Sequence, residues 1–186
     1  MLKIQSAVKS LFNEMFLEES YRLEPLKKHI DLLAGYPFDG SGFTDEGIKI
    51  CGGLIIMPDQ IKWDECKCWP TKNGLDKYLL QEGDIVMAMD RPWINGGFKI
   101  GLIKSEDLPC LLIQRTARIR ATDIDQTYLL ACYKYGGFEQ HTNVTGSTVP
   151  HISGKDIESF CVPLAPIAKQ KRFAESANQI DKLRFI

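Results

Sequence analysis

At 186 residues, with 44% hydrophobic and 25% charged side chains, the chain is long and apolar enough for one hydrophobic core with appendages, which excludes a disordered or fibrous protein. Lys+Arg number 23 against 24 Asp+Glu, a net charge of −1, so no global attraction to polyanions exists and any nucleic-acid surface has to be local. No window reaches the ~18 uninterrupted apolar residues of a membrane helix, and Met1-Leu2-Lys3-Ile4-Gln5-Ser6 lacks the apolar run of a secretory signal. The expectation is a cytoplasmic protein with no membrane partner.

In chain order, Ile4, Val8, Leu11 and Met15 recur at helical spacing, and Ala7, Phe12 and Phe16 broaden the stripe. Residues 4–16 are therefore predicted to form a helix with a coiled-coil-like seam, whose apolar face needs a partner. Pro25 and Gly35-Tyr36-Pro37-Phe38 end helical behaviour, and short strands and turns follow to about residue 121. Ile48-Lys49-Ile50 and Leu54-Ile55-Ile56 read as strands around Gly52-Gly53, while Asn73-Gly74 and Glu82-Gly83-Asp84 are turn signals. Ile85 to Met89 reads as a buried strand stopped by Asp90-Arg91-Pro92, and Phe98–Ile103 and Leu111–Ala121 as two more. In the last of these, alternation puts Arg118 and Arg120 outward and Arg115 on the apolar side, where an arginine needs partners.

Asp125 to Tyr135 is predicted to be a helix stopped by Gly136-Gly137. A polar loop runs from Gln140 to Thr148, Ser153-x-x-Asp156 has the form of a capping box, and Phe160–Leu164 reads as a strand. After Pro163 and Pro166, Ile167, Ala174, Ala177, Ile180 and Leu183 return to helical spacing over 167–185.

Catalytic signatures are absent. Asp90-Arg91-Pro92-Trp93 is the string nearest to the D/N-P-P-Y/F tetrapeptide of adenine methyltransferases and lacks its second proline. No G-x-G-x-x-G follows a strand and no P-loop exists. Pro58-Asp59 and Glu65-Cys66-Lys67 mimic a nuclease's acidic pair and lysine, but carboxylates so close in sequence read as a loop coincidence. His29, His141 and His151 have no metal-site spacing. Cys66 and Cys68 form a C-x-C pair without a second pair, and Cys51, Cys110, Cys132 and Cys161 lie in or beside apolar text, so reduced structural thiols are expected. Neither a metal nor another cofactor is expected. Between Arg91 and Arg120, six basic residues (Arg91, Lys99, Lys104, Arg115, Arg118, Arg120) face only Glu106 and Asp107, which leaves room for a local basic surface.

One ordered set of segments carries a family resemblance. Gly35-Tyr36-Pro37-Phe38, the run Gly83 to Pro92, Leu111-Leu112-Ile113-Gln114-Arg115, Gly146-Ser147-Thr148 and the run Val162 to Gln170 together resemble the target-recognition domain of type I restriction–modification specificity subunits. Ser10 to Phe16 looks like the end of that family's spacer helix. Two departures occur where the last helix starts: Lys169 stands where the family usually has an acid, and Ala165 replaces the first proline of the P-P-L-x-x-Q segment.

The resemblance implies an α+β (mixed α/β) recognition domain at 20–166 between spacer-type helices at 1–19 and 167–186 that pack as a coiled-coil-like pair. It implies binding to double-stranded DNA at one half of a split target, with no catalysis by the chain itself. The implied partners are a methyltransferase subunit that modifies adenine and, through the complex, a restriction subunit. One domain with partial helices would be a half-subunit that dimerises or a fragment of a longer subunit. The interface would then be Ile4, Val8, Leu11 and Met15 against Ala174, Ala177, Ile180 and Leu183, of the same or a second chain.

Candidate DNA-binding residues are those whose chemistry suits base edges or phosphates and whose text is loop-like. They are Arg91, Trp93 and Asn95, the pair Lys134-Tyr135, His141 and Thr142, then Ser147, Thr148, His151 and Lys155. Tyr36 and Phe38 read as packing residues. Two rivals belong to other classes: a small nuclease or methyltransferase with unrecognised motifs, and an interaction domain that has lost DNA binding.

Overall fold

The aromatic residues near both ends of the chain are spaced to meet one another, and in the computed structural model they do. Residues 2–58, 60–71, 73–142 and 151–182 are described, the side chains of residues 2–5 excepted. The first part of the chain comprises α1 (Leu2–Phe12), β1 (Leu23–Pro25), β2 (Ile30–Ala34), β3 (Ile48–Cys51), β4 (Ile56–Met57), β5 (Gln60–Ile61) and β6 (Cys68–Trp69). Then come β7 (Ile85–Ala88), β8 (Trp93–Ile94), β9 (Gly97–Phe98), β10 (Ile100–Leu102), β11 (Cys110–Leu112) and β12 (Thr116–Ala121). The last part holds α2 (Gln126–Tyr135), α3 (Phe138–His141), α4 (Gly154–Ser159), β13 (Cys161–Pro163) and α5 (Ile167–Lys182). The protein is thus a mixed helix-and-sheet fold. No described helix is long and apolar enough to cross a membrane.

Two compact units divide these elements. The first gathers Met1–Ile30, Ala121–Thr142 and Asp156–Ile186; the second gathers Asp31–Arg120 and Asn143–Lys155.

In the first unit α1, α2 and α5 pack on one another. Their seam is aromatic: Phe12 and Phe16 lie 5.8 and 5.4 Å from the Phe173 ring, and Phe16 lies 4.6 Å from Tyr128. All four are buried, each worth roughly 1.5–3 kcal/mol of transfer free energy. Val8, Leu11 and Met15 are only half-buried, because the helix turns its phenylalanines inward. α1 ends in a π turn, Asn13–Leu17. Asp125 caps α2 by accepting from the Thr127 and Tyr128 amides at 2.9 and 3.0 Å.

Buried Gln170 ties α5 to that cap. Its Oε1 accepts from the Asp125 amide at 2.8 Å, and its Nε2 donates to the Ala165 carbonyl at 2.7 Å. The two departures from the family pattern are both accommodated here. Ala165 donates its amide to Pro163 O at 3.0 Å, a bond a proline could not make. Lys169 finds its acid in Glu19, with the Tyr21 hydroxyl 2.7 Å away, and these partners raise its ammonium above the ordinary lysine range.

The second unit is built on a four-stranded sheet in the order β10-β7-β12-β2, with β10 and β12 antiparallel to β7. A three-stranded sheet, β11-β3-β6, pairs β11 parallel and β6 antiparallel to β3. Cys51, Ile56, Val86, Ile103, Cys110 and Leu112 form one core cluster, and Phe38, Ile50, Leu75 and Leu111 another.

Several strand expectations are corrected. Leu111–Ala121 is not one strand but two, β11 and β12, in different sheets. Between them the chain bends at Ile113-Gln114-Arg115, where Arg115 has φ 62° and Gln114 clasps Phe38, accepting from its amide at 2.9 Å and donating to its carbonyl at 3.4 Å. Arg115 therefore escapes the apolar face. Arg118, expected outward, is 5% exposed on an inner strand, bonded to Asp31 at 2.6 Å. Gly52–Ile55 forms a turn, with Ile55 N to Gly52 O at 3.1 Å, and only Ile56–Met57 continues as strand.

The thiols give a direct check. Burial pushes those of Cys110 and Cys132 up to about 12 and raises that of Cys51 well above its ordinary value, whereas Cys161 is exposed. A maleimide at pH 8 is expected to label Cys161 first and to reach Cys51, Cys110 and Cys132 only on unfolding. Peptide mass spectrometry showing rapid native labelling of those three would contradict this packing.

Candidate functional site

In the second unit, three stretches of backbone converge on Asp90. The Met89 amide donates to Arg115 O at 2.9 Å, the Ile152 amide donates to Met89 O at 2.8 Å, and Asp90 itself bridges to His151. This fixes the strand end, the β11–β12 bend and residue 151 against each other. The Asp90 carboxylate is then shared: Oδ2 lies 3.0 Å from Arg115 Nη1, and Oδ1 lies 2.5 Å from His151 Nδ1. The Asp90 side chain is 29% exposed, Arg115's 76% and His151's 54%, so the cluster sits at the surface with its carboxylate sheltered beneath.

Arg115, which meets this carboxylate, and Arg91, next to Asp90 in sequence, both hold left-handed backbone, φ 62° and 45°. Arginine pays a strain of roughly 1–3 kcal/mol there, a conformation that persists where surroundings over-determine it. Both line a cleft of about 540 Å³ together with Gly52, Gly53, Leu54, Lys67, Lys99 and Gln114. Lys99 is buried, and desolvation, helped by the nearby charge of Arg91, lowers its ammonium below the ordinary range. Leu54 stands 88% exposed at the tip of the glycine turn.

The hairpin β8–β9 carries Trp93 and Asn95. Trp93 stacks on Phe98 at 5.1 Å and 18° and is half-buried, whereas Asn95 is exposed at the turn. Lys155 is exposed at the start of α4. Arg91, Trp93, Asn95, His151 and Lys155 therefore belong to the second unit.

Lys134, Tyr135, His141 and Thr142 belong to the first. Lys134 lies 5.9 Å over the Tyr135 ring, which itself packs 6.0 Å from Phe12. His141 Nε2 lies 3.1 Å from both Asp156 O and Ser159 Oγ, and buried Thr142 donates to Glu139 O at 2.9 Å. Ser147 and Thr148 lie outside the described residues, as do Asp59 of the nuclease-like string, Leu183, and the Ile4 side chain. Of the remaining interface candidates, Ala174 and Ala177 are buried, and Val8, Leu11, Met15 and Ile180 are half-buried.

The basic run of 91–120 shrinks in three dimensions. Arg115, Arg118 and Arg120 each meet a carboxylate, that of Asp90, Asp31 and Asp84 respectively. Arg115, Asp90 and Leu54 were not among the residues expected at a site. Reading 111–121 as one strand hid Arg115, because the bend contains no glycine, proline or asparagine to announce it. Among the described residues, no three His, Cys, Asp or Glu side chains are grouped to hold a metal ion.

Known proteins resemble the chain at two levels. It is 32% identical over 165 residues to the EcoAI type I restriction enzyme specificity subunit of Escherichia coli, covering 84% of the chain and 28% of that protein. It is 31% identical over 174 residues to the MjaVIII specificity subunit of Methanocaldococcus jannaschii, covering 90% of the chain and 41% of that protein. The chain thus spans well under half the length of these relatives. No family model matches it. In fold it resembles the HsdS subunit from Thermoanaerobacter tengcongensis, with TM-score 0.66 and 17% identity over 97% of the chain and 44% of that subunit. A chain from a structure of type I R-M complex assembly gives TM-score 0.71 at 17% identity, over 97% of the chain and 45% of the other.

The backbone at Arg91 supplies a test independent of any ligand. Glycine normally destabilises relative to alanine, but at φ 45° the order reverses. Arg91→Gly is expected to exceed Arg91→Ala in stability by about 1 kcal/mol in urea titrations. An alanine variant at least as stable as the glycine variant would contradict the strained geometry.

Proposed function

The chain belongs to the specificity-subunit family of type I restriction enzymes, and from that premise we propose that it is a non-catalytic DNA-recognition module that directs an adenine methyltransferase to one half of a split target. The observation that carries this reading is likeness spread over nearly the whole chain rather than confined to one motif. The Asp90 cluster supports it, since arginine, histidine and an exposed leucine around a preformed cleft suit the grooves of a duplex.

In this reading residues 20–166 form the recognition domain, and 1–19 and 167–186 are spacer-type segments. Arg91, Asn95, His151 and Lys155 are exposed and contact DNA, with Ser147 and Thr148 serving phosphates. Trp93 in the second unit and Lys134 and Tyr135 in the first are, each by itself, half-buried candidates for DNA contact. His141 and Thr142, bonded internally, shape the surface. The half-buried Val8, Leu11, Met15 and Ile180 leave apolar edge on the terminal helices for a methyltransferase subunit or a second copy. Chemistry and cleavage reside in the methyltransferase and restriction subunits, so the chain needs no cofactor.

Duplex affinity of the chain with its methyltransferase subunit is expected to fall linearly with salt on logarithmic axes. Lys155→Ala should lower the slope by about 1 and weaken all duplexes alike. Fluorescence anisotropy that detects no duplex binding, or binding indifferent to salt, would contradict the reading.

A further inference from the structure

Arg115 does not resemble a phosphate ligand. Its guanidinium is paired with Asp90 at 3.0 Å, and that partial neutralisation weakens its pull on a phosphate. Base edges carry no net charge, so the same pair meets them without that loss. The other carboxylate oxygen is held by His151 at 2.5 Å, which restrains Asp90 and so the point to which Arg115 Nη1 is tethered. From below, the backbone is equally fixed, through the Met89 amide on Arg115 O and the Gln114 clasp on Phe38. The result is a pre-oriented arginine that keeps 76% of its side chain exposed. The same cleft is lined by Leu54, 88% exposed, an apolar group that fits base edges and not phosphates.

We infer that Arg115 is a base-reading residue, donating through its fork to O6 and N7 of a guanine in the major groove, with Asp90 as its positioning residue. This rests on the DNA-recognition function proposed above and names the chemistry of one position in the half-site. Lysine is no substitute, because a point charge lacks the planar fork.

The test maps N6-methyladenine in cells expressing the methyltransferase subunit with the unaltered chain, Arg115→Ala, Arg115→Lys or Asp90→Asn. Both Arg115 variants are expected to relax one G·C position of the half-site, lowering discrimination there on the order of 10- to 100-fold, while the other positions hold. Asp90→Asn relaxes the same position less. Arg115→Lys retains the charge beside Asp90 and keeps the test informative should the alanine variant fail to accumulate. Uniform weakening that lysine restores would show a phosphate contact and overturn the inference, as would an unchanged motif. An unaltered chain that directs no motif would overturn the proposed function, and this inference with it.

Discussion

Backbone bonds from Tyr36 to Leu112 and Gln114, and with them the Gln114 side-chain amide, hold the bend on which the second unit depends. By accepting from the Phe38 amide and donating to its carbonyl, that side chain satisfies both backbone groups of a residue 76 positions away. Each such bond contributes only about 0.5–1.5 kcal/mol net, but the consequence is topological. With the chain bent at 113–115, β11 joins a parallel pair with β3 while β12 becomes an inner strand of another sheet. The same bend throws Arg115 out to the surface and brings its carbonyl under Met89. The Asp90 cluster is thus a product of the fold's main irregularity.

Charge follows the same logic. A chain of net charge −1 cannot rely on a diffuse positive field, and its arginines do not supply one. Arg118 and Arg120 are committed to Asp31 and Asp84 within the sheet. Each pair has one buried member, Arg118 or Asp84, so losing the partner strands a sheltered charge. What remains at the cleft is a small number of oriented groups. Such an arrangement favours discrimination over raw attraction, in keeping with the function proposed for it.

Much was legible in the sequence where the signal is local. The helix ending at Tyr135, its stop at Gly136-Gly137 and the apolar strand at Ile85 all lie where spacing and turn chemistry put them, with Asp125 serving as the cap rather than the first helical residue. Of the residues picked from loop-like text, His151 pairs with Asp90 and Arg91 lines the adjoining cleft. What stayed hidden depends on distant partners. Arg118 turns inward because Asp31, 87 residues away, receives it. Lys169 looked anomalous until Glu19, 150 residues away, supplied its acid. The seam between the terminal helices was read from Val8, Leu11 and Met15, but the packing falls on Phe12 and Phe16, the larger side chains at adjacent positions. Alternation alone cannot reveal a bend held by bonds to remote backbone.

The proposed function holds that this chain supplies sequence specificity to a methyltransferase that has none without it. The measurement that tests it most directly is genome-wide mapping of N6-methyladenine by long-read sequencing, with the methyltransferase subunit expressed alone and together with the chain. The account predicts a split target motif that is present only when both are expressed. The same methylation pattern with and without the chain, both proteins being soluble, would contradict it.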